Sequence, residues 1–413
     1  MKAVRDSKKI FPLYFAVLYL LTVYYLISTN TLLTNNAMSE WLINYQGGFV
    51  RRGLTGEFFF YFSKFLNLDL KFSILIFQIF IYLLYFHLIY KLIVGIYLNK
   101  FFILIFFSPA FLFFPLAELE ALGRKEILVN IILLCSVLFF QKNKNLKLSF
   151  VFFGLTIILL IHEIIVFHFL YFCIFLLLIN SKNLQNYNLK IFFIFIFLSI
   201  LAFSIYFNSY DINMKDKMCL SLVKNFNTVC GFQTHYVVNR LETYIGEVSW
   251  QNQHYVRNSF IFVAAFGPIF LLSFFSKFNL EKCNNIFKKI PVILLLVILI
   301  VPNFLIFFIS VDTGRYFNLT YSNLFIFFFG LYYNQLITID YKRLKFFEYK
   351  IFPKNKVLTF FIIFLMSFSW SPKAVYLDDL GSFPIYRAIE KTPNYYKSIL
   401  DIKFVKQVGP LAQ

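Results

Sequence analysis

Long apolar runs recur along the whole chain and are separated by short polar segments. The 413 residues are 60% hydrophobic and 22% aromatic, whereas only 14% are charged. A soluble domain cannot bury that much apolar surface. Helices of about 20 apolar residues, by contrast, cross the hydrocarbon layer of a bilayer, which is roughly 30 Å thick. The sequence therefore predicts an all-α fold, a polytopic transmembrane helical bundle.

The positions of the basic loops predict how the apolar runs are oriented across the membrane. Lysines collect in loops Gln141–Lys147, Ser181–Lys190, Ser276–Lys289 and Ile337–Lys356, which the positive-inside rule places in the cytoplasm together with the basic N-terminus. This pattern predicts eleven spans. They are Ile10–Ser28, Phe72–Leu98, Phe101–Leu116, Ile127–Phe140, Leu148–Ile161, Ile164–Ile179, Ile191–Phe207, Ser259–Phe275, Ile290–Ser310, Leu319–Leu336 and Val357–Trp370.

In this topology residues 1–370 form one transmembrane domain with large outer loops at residues 29–71 and 208–258. Residues 371–413 form a short non-cytoplasmic tail. Cys219 and Cys230 both lie in the second outer loop, where an oxidising compartment favours a disulfide between them. The net charge of +19 follows from the cytoplasmic lysines, and because no nucleic-acid-binding motif accompanies it, no nucleic-acid partner is predicted.

The first outer loop carries the segment NYQGGFVRRGLTGE, residues 44–57. Its glycines permit close backbone approach to a ligand, and the guanidinium groups of Arg51 and Arg52 suit phosphate oxygens. Anchoring of both arginines to lipid headgroups is the alternative, but arginine is disfavoured in short outer loops. Glu57 ends the segment and is the first candidate for an acid or base.

Two further outer loops carry charge beside apolar helices. Arg124 and Lys125 precede a span of only fourteen residues, which underfills the bilayer and draws them inward. His162 and Glu163 are flanked by long apolar runs, where a carboxylate is tuned for acid–base chemistry unless a cation pairs with it. The alternative in both places is a structural ion pair.

Val311–Asn318 (VDTGRYFN) is predicted to be a tight outer turn between two spans. Its Asp312 and Arg315 suit an acid and a phosphate clamp, or a pair with each other. No phosphate-binding loop, dinucleotide fingerprint or zinc HExxH motif occurs, since His168 follows His162 by six residues instead of four. No metal or other cofactor is therefore predicted.

The motifs GGFVRRG, GRKE, HE and DTGRY, in this order, resemble those of uncharacterised membrane proteins from bacterial surface-polysaccharide loci. The architecture is similar to that of GT-C glycosyltransferases and more loosely to that of O-antigen polymerases. The resemblance implies a multi-pass protein of the bacterial cytoplasmic (inner) membrane that uses a polyprenyl-(di)phosphate-linked sugar at the outer face. It also implies a catalytic carboxylate in the first outer loop, where the usual early aspartate is missing and Glu40 and Glu57 lie near.

The resulting hypothesis is a membrane-embedded glycosyltransferase or polysaccharide polymerase whose partners are membrane lipid and a polyprenyl-linked glycan. A lipid-linked glycan flippase or other transporter, and a non-catalytic membrane assembly protein, are the alternatives. The catalytic candidates are Glu57, Glu163 and Asp312. The candidates for binding the substrate phosphate are Arg51, Arg52, Arg124, Lys125, Arg315 and His162.

Overall fold

A computed structural model gives the fold of the chain. It describes residues 2–30, 36–139, 144–179, 185–207, 212–228, 230, 255–279, 281–282, 287, 289–309 and 312–372. All but the first two residues of the predicted tail 371–413, and most of the outer loop 208–258, lie outside the described residues. The described residues are mostly helical, as the sequence predicts.

Sixteen α-helices and one two-stranded ribbon make up the described fold. The helices are α1 Lys2–Asn30, α2 Asn36–Trp41, α3 Leu54–Leu66, α4 Leu70–Ile93, α5 Lys100–Phe106, α6 Phe114–Ala117, α7 Ile127–Leu138, α8 Lys144–Ile161, α9 Phe169–Ile179, α10 Gln185–Phe207, α11 Ile212–Phe226, α12 Tyr255–Phe274, α13 Val292–Ile309, α14 Thr313–Tyr333, α15 Tyr341–Ile351 and α16 Lys356–Phe368. Short 3₁₀ turns lie at Leu119–Ala121 and Glu163–His168. Strands β1 (Ser276–Phe278) and β2 (Ile337–Ile339) pair antiparallel, with Lys277 opposite Thr338.

Three of these helices are long and apolar enough to cross a membrane: the Phe11–Asn30 part of α1, α4 and α10. The pair α15 and α16 forms a fourth candidate that is bent by 95°. Shorter apolar helices lie at Ile127–Leu138, Asn145–Ile161, Glu163–Ile179, Ser259–Phe274 and Val292–Phe307. The chain is thus an α-helical protein with the apolar helices of a membrane protein.

Two predicted elements differ in local structure from the prediction. The helix of the predicted span Phe101–Leu116 ends at Phe106, and turns follow up to Phe113. Pro109 explains the break, since proline cannot donate to a helical hydrogen bond and restricts the residue before it. Of the predicted outer turn Val311–Asn318, residues 313–318 are the first turns of α14, which begins at Thr313.

The ribbon and α15 are a further departure from the predicted loops. Both strands fall in segments that the lysine pattern assigns to cytoplasmic loops, Ser276–Lys289 and Ile337–Lys356. Asp340 is the N-cap of helix α15, and its carboxylate accepts a hydrogen bond from the backbone amide of Arg343. A lysine-rich composition marks the side of the membrane, but it does not prevent local structure.

Helix α14 is the centre of the bundle. It packs against α4, α7, α9, α12 and α13, and every residue from Leu319 to Leu331 is buried. Helices α4 and α7 also pack on each other, and α1 packs on α4. Because α14 begins at Thr313, this packing fixes Arg315 in its first turn beside the loop that precedes α7.

Candidate functional site

Five separate segments bring their charged side chains together in one buried group, which we call the outer charge cluster. The segments are α2, the loop before α3, the loop before α7, the turn after α8 and the start of α14. The members of the cluster are Glu40, Arg51, Arg52, Arg124, Lys125, Glu126, His162, Glu163, Asp312 and Arg315. Ion pairs, together with two 3.4 Å contacts of the His162 ring to Glu40 and Glu126, join nine of them, and Lys125 joins through a hydrogen bond to the backbone of Arg52.

Glu163 closes one end of the cluster. Arg52 forks onto it, with Nε 3.0 Å from Oε2 and Nη2 2.9 Å from Oε1, and Arg51 Nη1 lies 3.4 Å from Oε1. The Arg51 guanidinium also lies over the ring of Tyr206 in α10. Burial alone would raise the pKa of Glu163, but Arg52 and Arg51 hold that pKa well below its usual range. Glu163 is therefore a permanently ionised partner of two arginines.

Glu40 is the hub of the cluster and is completely buried. Its Oε1 lies 3.3 Å from Arg52 Nη1 and 3.4 Å from His162 Nε2, and its Oε2 lies 3.2 Å from Arg124 Nη1. Burial alone would raise the pKa of Glu40, but His162 and Arg124 hold that pKa well below its usual range. Helix α2 thus links the first outer loop to both of the other charged loops.

The backbone at Arg52 is strained, and the cluster holds it in place. Arg52 has φ of 66°, in the left-handed region that non-glycine residues rarely adopt. Its carbonyl accepts a hydrogen bond from Lys125 Nζ at 2.9 Å. The Lys125 ammonium is completely buried, and this burial lowers the pKa of Lys125 to about 7. Lys125 therefore positions the Arg52 loop, and its role in binding phosphate stays a prediction.

Gly123 sets the direction of the loop before α7. Its φ of 77° is left-handed, and a Cβ there would lie 2.9 Å from Gln78 Nε2. The Gly123 carbonyl accepts hydrogen bonds from Trp41 Nε1 and Gln78 Nε2, and its amide donates to the Tyr82 hydroxyl. These bonds tie the loop to α2 and α4 and direct Arg124 to Glu40.

Glu126 and Arg315 form the other end of the cluster, which is open. Arg315 Nε lies 3.2 Å from Glu126 Oε1 and Nη2 lies 3.3 Å from Asp312 Oδ2. Both carboxylate oxygens of Glu126 and Nε of Arg315 are buried without a hydrogen bond of good geometry. Burial alone would raise the pKa of Glu126, but Arg315 helps to lower it to about 2.

A cavity of about 40 Å³ lies against this open end. Aromatic side chains of α4 and of the segment after α5 form its apolar wall. Its polar wall consists of Arg124, Glu126, Asn130, Arg315, Asn318 and Ser322. Asn130 Oδ1 is a further buried acceptor without a hydrogen bond. Unpartnered buried polar atoms are costly, so atoms of this kind around one cavity indicate that the cavity binds a polar molecule.

The structure assigns Glu57 a role that the sequence did not predict. Its carboxylate accepts hydrogen bonds from the backbone amide of Tyr45 at 2.8 Å and from Gln46 Nε2 at 2.7 Å. It fixes the glycine-rich loop and takes no part in the ion pairs of the cluster, and its role as an acid–base candidate stays a prediction. Glu57 is the acidic residue nearest to Arg51 and Arg52 in the sequence. In the structure it lies in the first turn of α3 and bonds to Tyr45 and Gln46 instead.

Sequence reasoning missed Glu40 and Glu126 as functional residues. The sequence indicated Glu40 only as an acid near the first loop, and it did not single out Glu126. The sequence signal for both residues is a charged side chain within or just before an apolar segment. Only the long-range packing identifies their partners. Cys219 and Cys230, the predicted disulfide pair, are bonded in the structure with a Cα–Cα distance of 5.5 Å.

Three side chains of the cluster have the chemistry of metal ligands. Glu40, Glu126 and His162 each offer one ligand atom, and these atoms all lie within 4.8 Å of one another. All three residues are buried. Comparison of the chain with known protein families, curated proteins and solved structures finds no match.

Proposed function

We propose that the chain is a membrane-embedded glycosyltransferase or polysaccharide polymerase that uses a polyprenyl-(di)phosphate-linked sugar at the outer face of the membrane. The observation that carries the proposal is the open end of the outer charge cluster. There two arginines, Arg124 and Arg315, share a cavity with the unpartnered acceptors of Glu126 and Asn130. Arginine donors suit phosphate oxygens, and unpartnered acceptors suit sugar hydroxyl groups.

The arginines and the carboxylate have different roles in the proposed reaction. Arg124 and Arg315 neutralise the charge that develops on the leaving phosphate, as preorganised donors do in a site that excludes water. Glu126 accepts the proton of the attacking hydroxyl, because both of its carboxylate oxygens are buried without a hydrogen-bond donor. When the substrate phosphate pairs with Arg315 in place of Glu126, Glu126 loses a neighbouring cation and its pKa rises toward the range that a general base needs.

Lipid access supports the same proposal. Helix α3 directly follows the two arginines of the first loop and exposes Phe58, Tyr61 and Phe65, while its Phe59 and Phe60 are buried. A helix with one exposed aromatic face is suited to lie in the membrane interface. A polyprenyl chain then has an apolar path along the bilayer to the charged cluster.

The proposal includes the topology of eleven spans, with the broken segment 101–116 as an irregular crossing, and a GT-C-like architecture in the bacterial cytoplasmic membrane. Irregular backbone is tolerated at membrane depth where protein surrounds it, and Phe111 and Phe114 are completely buried. In this view α2 supplies the first-loop carboxylate, Glu40, in place of the missing early aspartate.

A lipid-linked glycan flippase is the second candidate, because phosphate-binding arginines serve a transporter equally well. The third, a non-catalytic assembly protein, predicts that the outer charges scatter. Among the described residues they converge instead, which favours the first two candidates.

Deletion of the gene in the native host, followed by analysis of the polyprenyl-linked glycan, tests the proposal. The enzyme predicts loss or shortening of a surface glycan and accumulation of its lipid-linked precursor in the outer leaflet, where a membrane-impermeant oxidant reaches the sugar in spheroplasts. Accumulation in the inner leaflet would support the flippase. Unchanged surface glycan and unchanged lipid-linked pools would overturn both.

A further inference from the structure

We propose that Glu40, Glu126 and His162 bind a divalent transition-metal ion, such as Zn²⁺ or Mn²⁺, at the centre of the outer charge cluster. His162 Nε2 lies 3.4 Å from Glu40 Oε1 and 3.4 Å from Glu126 Oε1. None of the sequence motifs indicated this site, because its ligands come from α2, the loop before α7 and the turn after α8.

The distances fit a shared ion better than hydrogen bonds. His162 is completely buried, yet neither of its ring nitrogens makes a hydrogen bond of good geometry, and the same holds for both oxygens of Glu126. Ligands that lie 2.0–2.2 Å from a tetrahedral ion are separated from each other by roughly 3.3–3.6 Å. Two of the three separations between ligand atoms, both 3.4 Å, match the edges of a coordination tetrahedron, and all three atoms lie within 4.8 Å of one another.

The donor set narrows the class of metal. Two carboxylate oxygens and one imidazole nitrogen suit Zn²⁺ or Mn²⁺, whereas Mg²⁺ and Ca²⁺ prefer oxygen ligands alone. Glu126 also lines the cavity, so the cavity side of the ion is open to water or to a substrate oxygen. Three protein ligands with one open position are typical of a catalytic site and not of a structural one.

The neighbouring arginines are compatible with the ion. Arg52 and Arg124 contact Glu40, and Arg315 contacts Glu126, so arginine orients each ligating carboxylate. Groups just outside the ligands of a metal site commonly orient those ligands through hydrogen bonds. The added positive charge makes the cluster more attractive to a phosphate. The ion thereby increases the affinity of the open end for an anionic substrate.

Titration of the purified full-length protein with Co²⁺ tests the site, because Co²⁺ replaces Zn²⁺ in such sites and its visible absorption intensifies in four-coordinate geometry. We expect saturable binding of one ion per chain with that intensified band. Glu126→Gln and His162→Asn should each weaken binding by at least about tenfold. Glu57→Gln, which removes a carboxylate outside the three ligands, should bind as the wild type does.

A second measurement guards against variants that fail to fold. Zn²⁺ should raise the melting temperature of the wild type and of Glu57→Gln, and should not raise that of Glu126→Gln. Absence of saturable Co²⁺ binding to the folded wild type, or equal binding by Glu126→Gln and the wild type, would overturn the metal site. Because neither readout involves a glycan, this failure is distinguishable from failure of the proposed enzymatic function.

Discussion

Both ends of the outer charge cluster contain a buried carboxylate beside arginine, but the hydrogen bonds that the carboxylate accepts differ between the two ends. At the closed end, Glu163 accepts three hydrogen bonds from Arg52 and one from Arg51. At the open end, Glu126 accepts none of good geometry and borders a cavity. A buried carboxylate whose two oxygens both accept hydrogen bonds holds loops together, whereas one left without donors is available for a ligand. We therefore assign a structural role to the closed end and a reactive role to the open end.

The largest expected effect comes from breaking the closed end. Arg52→Ala leaves Glu163 and Glu40 without a main partner, and removal of one member of a buried ion pair costs about 3–5 kcal/mol of unfolding free energy. We expect a large drop in melting temperature of the purified protein. Arg343→Ala breaks an exposed pair with Asp340 and should cost at most about 1 kcal/mol. Equal stability of the two variants would contradict the structural role of the closed end.

A smaller effect is expected where the first outer loop packs on itself. A Cβ at Gly56 would lie 2.0 Å from the carbonyl oxygen of Ile43, a backbone atom that cannot move away cheaply. We expect Gly56→Ala to cost about 1–3 kcal/mol of unfolding free energy, measured by thermal denaturation. Gly95→Ala is the matched control, because nothing lies within 4 Å of its Cβ position. A neutral Gly56→Ala would show that the loop does not support Arg52 as described.

A pH dependence of stability is expected from Lys125. Its pKa is lowered by burial to about 7 in the folded protein, below the ordinary lysine value. The unfolded chain therefore binds more protons above pH 7, and the stability contributed by Lys125 rises with pH from about 7 to about 10. We expect the melting temperature of the wild type, relative to that of Lys125→Met, to rise over this window. Parallel curves for the two proteins would contradict the burial of the amine.

The apolar runs were sufficient to predict an all-α fold, and the charged loops to single out the segments that carry the cluster. Arg51, Arg124, Glu163 and Arg315 belong to that one cluster, but only Arg124 and Arg315 line the cavity. The break within segment 101–116 was not predicted, because hydropathy outweighed the signal of Pro109.

The roles inside the cluster were not predictable from the sequence. Glu57 lies five residues after Arg52 and still points elsewhere, whereas Glu126 meets Arg315 across 189 positions of the chain. Which carboxylate keeps a free oxygen depends on the packing of α7 against α14, and local spacing carries no information about it.

The surface glycan made by Glu126→Gln tests the central claim most directly. The substitution keeps the size of the side chain and removes its charge. We expect the native host carrying it to lose the surface glycan, while the host carrying Glu57→Gln at the same level of membrane protein retains it. Wild-type glycan in the host that carries Glu126→Gln would contradict the assignment of the open end as the reactive site.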